Sequence, residues 1–273
     1  MSSDLNIKRL PAQDAAAALR WDAFVMAHPQ ATFFHRAGWQ RVIASAWGHD
    51  CHFMYAERDG AIVGLLPMAE IKSRLFGHSL ASLPFAVYGG VIALDDEAAA
   101  VLESAADALA RKLGVEHLEM RQIQPRHPDW PRQDLYVTFR KEILADEEAN
   151  LNAIPRKQRA MVRKGIKNEL VSHIDADAAR FFALYADNVH RHGTPAMSRR
   201  YFDALLAEFG SDAEVLTVCD AQGRALSSVL SFYFRDEVLP YYAGDDERAR
   251  ELAANDFKYW ELMRLACARG LKV

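Results

Sequence analysis

Residues 213–243, AEVLTVCDAQGRALSSVLSFYFRDEVLPYYA, carry the pattern that decides the fold. Three runs rich in β-branched, aromatic and aliphatic residues, 213–219, 225–235 and 238–243, are separated by short polar breaks. Ala221, Gln222 and Gly223 form the first break, and Arg235, Asp236 and Glu237 the second. The runs therefore predict an antiparallel meander. A helix over 247–269 follows, closed by Gly270. Upstream, the spacing predicts a strand at 169–174, helices at 176–191 and 198–209, and a helix over 154–168.

The first half shows the same order. A strand at 5–10 precedes helices at 14–27 and 36–47. Strands at 52–57 and 61–70 are joined by Asp59 and Gly60, a strong hairpin signal. Residues 72–90, KSRLFGHSLASLPFAVYGG, read as a loop-rich apolar stretch. A helix at 95–113 begins with acidic residues, as its dipole favours, and ends at Gly114. Strands at 115–120 and 135–140 flank a proline-rich turn region, 124–133. The acidic run 141–153 sets the expected boundary, giving domains 1–145 and 146–273. The fold expected is α/β (α+β) and duplicated. Leu271, Lys272 and Val273 start a strand of only three residues, shorter than the usual five or six, so the second domain reads as truncated at its C-terminus.

The chain has 273 residues, 51% hydrophobic and 26% charged, with a net charge of −4 and a pI near 6.2. That balance argues against a dedicated nucleic-acid binder, DNA included, so any basic site is local. Cys51, Cys219 and Cys267 are odd in number and scattered, as in a reducing compartment. The N-terminal residues lack an apolar secretory core, and no run approaches the ~18 apolar residues of a membrane span. A cytoplasmic protein is the expectation.

Four segments attract a chemical reading. In IPRKQRAMVRKGIKN, 154–168, Arg156, Lys157, Arg159, Arg163, Lys164 and Lys167 are cationic and no residue is acidic. At helical spacing Arg156, Arg159, Arg163 and Lys167 fall within an arc of roughly 80°. Arginine forks suit phosphate or carboxylate; the alternative is a solvated face balanced by the acids at 146–148. In YYAGDDERARELAANDFKYWELM, 241–263, Tyr241, Tyr242 and Asp245 stand where a strand is expected to turn into a helix, a frequent ligand position. Asp245 or Asp246 equally suits a helix cap. In the loop 82–91, Tyr88, Gly89 and Gly90 suit either close ligand approach or tight packing. His190 and His192 suit either proton transfer or the negative end of a helix. His49, Asp50, Cys51 and His52 are dense in metal-ligand types but lack a second cluster, so no metal is expected. P-loop, GxGxxG, GxSxG and HExxH patterns are absent, which disfavours a nucleotide triphosphatase, a Rossmann dehydrogenase and a serine hydrolase.

These segments, with FHRAGWQRVI and AWGHD near the start, GLLPMAEIKSRLFGHSLASLPFAVYGG and HGTPAMSRRYF, resemble the FemAB-related proteins of the GNAT-like acyltransferase superfamily. The resemblance is greatest to the branch associated with the exosortase (XrtA)/PEP-CTERM system of Gram-negative bacteria. It implies two tandem GNAT-like domains and transfer of an acyl or aminoacyl group onto a cell-envelope or exopolysaccharide precursor. It also implies an activated donor, aminoacyl-tRNA or acyl-CoA, and an anionic, phosphate-bearing or lipid-linked glycan acceptor handled near the inner membrane. By the same resemblance Arg156, Arg159, Arg163 and Lys164 bind anions. The pyrophosphate-binding Q/R-x-x-G-x-G/A pattern of acetyl-CoA enzymes is replaced by ERARELAAN. Two other functions fit the residues: a non-catalytic anionic-glycan or nucleotide-sugar binding protein, and a CoA-dependent N-acyltransferase.

Overall fold

The computed structural model describes residues 5–73, 75, 77–133 and 135–273. They form two compact units, Met1–Gln133 and Asp134–Val273.

The first unit contains β1 (Asn6–Arg9), α1 (Ala15–Ala27), a short 3₁₀ turn (Phe33–His35) and α2 (Gly38–Trp47). After these come β2 (Met54–Arg58), β3 (Ala61–Leu66), β4 (Met68–Ser73), β5 (Gly77–Ser82), β6 (Ile92–Ala93), α3 (Asp96–Leu113) and β7 (His117–Glu119). One sheet runs β1-β2-β3-β6 and a second β4-β5-β7. Asp59 and Gly60 both have positive φ, 51° and 79°, the type I′ geometry that matches the twist of a tight hairpin. The Asp95 side chain accepts from the Ala98 amide, and Gly114 closes α3 in the left-handed conformation. Leu102, Ala106 and Leu109 of α3 pack against Met54, Val63, Leu66 and Leu80, burial that stabilises by roughly 1.5–3 kcal/mol per large aliphatic side chain.

Two expectations are corrected here. The strand expected at 61–70 is divided at Pro67 into β3 and β4, since proline has no N–H for the ladder. The expected loop 72–90 contains β5, paired along its whole length with β4 from Met68 opposite Ser82 to Ser73 opposite Gly77.

The second unit contains α4 (Glu147–Ala153), α5 (Arg156–Lys167), β8 (Val171–Asp175), α6 (Ala179–Arg191) and α7 (Arg199–Phe209). A meander follows, β9 (Ala213–Cys219), β10 (Ala225–Phe234) and β11 (Glu237–Asp245), then α8 (Ala249–Leu252) and α9 (Ala254–Ala268). The sheet order is β11-β10-β9-β8, with every neighbour antiparallel. One face is covered by α5 and α9, where Val162, Phe257, Trp260 and Leu262 meet Leu216, Val218 and Val229. The other carries α6. Gly244 lies so close to it that a Cβ there would come within 2.4 Å of the Tyr185 backbone.

The structure departs from expectation at four places in this unit. Residues 135–140 form no strand, and Leu135, Tyr136, Val137 and Phe139 are exposed. The acidic stretch contains α4, and residues 135–145 fall with the second unit, tied to it by the Ile143 amide donating to the Lys272 carbonyl at 2.8 Å. Leu271, Lys272 and Val273 form no strand of their own, although the Val238 amide donates to the Val273 carbonyl at 2.9 Å. The helix expected over 247–269 is broken between α8 and α9 by Ala253, whose φ of +62° is left-handed. No helix among the described residues is long and apolar enough to cross a membrane.

Candidate active site

The end of β11 combines two devices. The pairing of β10 with β11 slips between Leu230 and Ser231: Leu230 faces Tyr242, Ser231 faces Pro240, and Tyr241 is an extra residue. Such a bulge kinks the strand and re-aims its side chains. Here it brings two consecutive tyrosines together, with ring centroids 4.8 Å apart and perpendicular. Tyr241 also approaches Phe232 at 5.5 Å, and Tyr242 approaches Phe202 at 5.2 Å. The Tyr242 hydroxyl meets that of Tyr201 on α7 at 2.9 Å. Burial and the neighbouring Tyr242 push the Tyr201 phenol well above its usual range, so it stays protonated and can donate to Tyr242.

Asp245 ends the same strand on the opposite face, as the alternation of a strand requires. Its carboxylate accepts from the Ser227 hydroxyl and from Lys258 Nζ, the latter at 3.1 Å. The Lys258 side chain, on α9, is fully buried. Burial pulls its ammonium below the usual lysine range, and Asp245 opposes that shift. Thus the structure brings Tyr241 and Tyr242 together but turns Asp245 away from them. Asp246 accepts from the Arg248 amide at 2.8 Å and pairs with the Arg248 guanidinium at 3.0 Å, a local turn ahead of α8. The N-cap of that helix is Arg248, which makes no side-chain cap.

The cationic helix α5 lies on α9. Val162 and Gly165 are buried, and a Cβ on Gly165 would sit 2.8 Å from the Phe257 Cβ. Arg159 donates to the Asn152 carbonyl at 3.0 Å and to its side-chain oxygen at 3.1 Å. No hydrogen bond or ion pair from the side chains of Arg156, Lys157, Arg163, Lys164 or Lys167 exists among the described residues. Of the acids at 146–148, Asp146 caps α4 through the Ala149 amide and Glu147 pairs with Arg264. A one-sided set of like charges at i,i+4 is mildly unfavourable. An anion reverses that sign.

Tyr88 and Gly89 belong to the first unit. The Gly89 and Gly90 amides both donate to the Arg121 carbonyl, at 3.2 and 3.0 Å. A Cβ on Gly89 would come 2.5 Å from that of Leu83, so close packing is what requires the glycine. His35 Nε2 donates to the Gly90 carbonyl while Nδ1 accepts the Thr32 amide, both at 3.0 Å. Burial pulls this imidazole down to about 4, so it is neutral at pH 7. His190 and Arg191 lie in the last turn of α6, and Arg191 donates to the Asp245 carbonyl. Among the described residues no group of three His, Cys, Asp or Glu side chains is placed to hold a metal.

The sequence reading passed over Lys258, Ser227 and Tyr201. A signal existed for the first: Ala254, Lys258 and Leu262 share one buried helical face, and a lysine there breaks an apolar stripe. The bulge at Tyr241 has no signal in a single sequence, because it is a property of pairing.

The architecture defines a class. Residues 150–273 match the family model described as an acetyltransferase (GNAT) domain, a match that falls within the second unit. The whole chain has the tandem GNAT-like architecture. It is similar to the crystal structure of FemX, with a TM-score of 0.69 at 13% identity over 97% of this chain and 86% of that one. A tandem GNAT protein from the clavulanic acid biosynthesis pathway has a TM-score of 0.56 at 14% identity, over 98% and 87% of the two chains. In sequence the chain is 23% identical over 117 residues to the UDP-N-acetylmuramoylpentapeptide-lysine N(6)-alanyltransferase of Weissella viridescens. That match spans 42% of this chain and 34% of the alanyltransferase.

Acyl-CoA, the donor of many GNAT enzymes, fits poorly after β11. The Arg248 amide, the kind of group a pyrophosphate needs, is held by Asp246. Of the three acids there, Asp245 is matched by Lys258 and Asp246 by Arg248.

Proposed function

We propose that this chain transfers an acyl or aminoacyl group from an activated ester to an amine or hydroxyl of a phosphate-bearing cell-envelope precursor. The observation that carries the reading is the cationic face of α5, fixed to α9 of a transferase domain. Arg156, Arg159 and Arg163, with Lys157 and Lys164, hold the precursor's phosphate by charge-assisted bonds. In the transfer itself, the acceptor's nitrogen or oxygen attacks the ester carbonyl. The new C–N or C–O bond forms, the ester C–O bond breaks, and the acceptor's proton passes to the leaving oxygen. An activated ester needs positioning and oxyanion stabilisation more than a protein nucleophile. The paired hydroxyls of Tyr201 and Tyr242 supply a polar, proton-bearing group on the α6 side of β11, with Tyr241 beside it.

The donor this reading favours is an aminoacyl-tRNA, because the Asp246 carboxylate already occupies the Arg248 amide that a CoA pyrophosphate would use. The acceptor is a nucleotide-linked or lipid-linked glycan, met in the cytoplasm near the inner membrane surface, and the resemblance to the XrtA/PEP-CTERM branch favours an exopolysaccharide precursor. The test offers alanyl-tRNA and acetyl-CoA as donors and UDP-N-acetylmuramoyl-pentapeptide and UDP-N-acetylglucosamine as acceptors, with product read by mass. Transfer from the aminoacyl ester is expected, and the double variant Arg159→Ala/Arg163→Ala raises KM for the acceptor at least tenfold with kcat within threefold. Binding of the UDP-sugars without transfer from either donor would instead leave a glycan-binding protein.

A further inference from the structure

Lys258 places a fully buried side-chain ammonium on α9. A buried ammonium costs several kcal/mol unless paired, and Leu or Met at this point of α9 would continue the apolar face made by Phe257, Trp260 and Leu262. Its ammonium donates to Asp245 Oδ1 at 3.1 Å and lies 4.9 Å from the Tyr259 ring centroid. Asp245 is the last residue of β11, four residues past the bulge at Tyr241. Its carboxylate receives Ser227 from β10 as well. One carboxylate therefore ties together β10, β11 and α9. Asp245, Asp246 and Glu247 follow one another at this strand end, and two are matched by cations: Asp246 by Arg248, and Asp245 by Lys258.

We propose that Lys258 is a positioning residue of the transfer site: by neutralising Asp245 it fixes the end of β11 on α9 and so holds the Tyr241–Tyr242 bulge in register. Asp245 is then scaffold, and no proton in the reaction passes through it. The activity arm of this idea rests on the transfer reading above; the structural arm does not.

The test compares wild type, Lys258→Met, Asp245→Asn and the double variant Lys258→Met/Asp245→Asn, all in the full chain. Methionine fits an apolar site, so the single variant is expected to fold, with circular dichroism as the check. Amide hydrogen exchange is read peptide by peptide. Lys258→Met is expected to speed exchange at 239–246 at least tenfold while peptides covering β8 and β9 change less than threefold. The double variant, which removes both charges, is expected to return 239–246 to within threefold of wild type. Acceleration spread evenly over the unit, or none at 239–246, overturns the proposal, as does a double variant no better than Lys258→Met. If the wild type transfers no acyl group, the transfer reading fails and the exchange result still decides the role of Lys258. If it does transfer, Lys258→Met is expected to lower kcat at least tenfold with KM for the acceptor within threefold; unchanged kcat contradicts positioning.

Discussion

At the residue scale, the side chains that shape the candidate site are ones whose chemistry is set by burial. His35 shows this in the first unit. Its folded pKa is depressed to about 4 from 6.5, so on acidification the unfolded chain takes up the proton first. The stability it contributes is therefore complete above pH 6.5 and lost as pH falls from 6.5 to about 4, a span worth about 3 kcal/mol. Urea unfolding at pH 7.5 and 4.5 is expected to show this loss in wild type, and a correspondingly smaller loss in His35→Gln. Equal pH dependence in the two proteins would count against the buried neutral imidazole. Lys258 and Tyr201 belong to the same group. Lys258 is marked only by breaking the apolar stripe it shares with Ala254 and Leu262, and Tyr201, near a helix start, is ordinary until its surroundings are known.

At the element scale, legibility followed the strength of local chemistry. The Asp59 and Gly60 turn, the Asp95 cap and Gly114 stop of α3, and the cationic stripe of α5 all rest on contacts within a few residues, and the structure has them. What was misread depends on partners distant in sequence. GHSLAS becomes β5 because β4 and β7 lie on either side of it, whereas LYVTFR, with better strand formers, joins no ladder among the described residues. Ala253 breaks a helix that its neighbours favour. The close approach of α5 to α9 at Gly165 is testable. Gly165→Ala places a methyl group 2.8 Å from the Phe257 Cβ and is expected to cost about 1–3 kcal/mol, as overpacking does. The gain in helix propensity from alanine works against this by only about 1 kcal/mol. A variant as stable as wild type in urea titration would show that α5 is not seated as described.

At the scale of the whole molecule, a duplicated α/β chain was legible from element order, and the tandem GNAT-like architecture bears it out. The position of the candidate site was legible in part: of the residues singled out at 241–263, the bulge brings Tyr241 and Tyr242 together, while ordinary strand alternation puts Asp245 on the face opposite Tyr242. The net charge of −4 makes the uncompensated face of α5 the more informative, since a locally basic surface on an acidic protein is specific in its placement. The central claim is that this face holds the phosphate of a substrate. Its most direct measurement is the melting temperature of wild type and of Arg159→Ala/Arg163→Ala with a UDP-linked sugar at low and at high salt. The account predicts a rise of several degrees for wild type at low salt, weakened by high salt, and little or none for the variant. An equal rise in both proteins, or none in either, would contradict it.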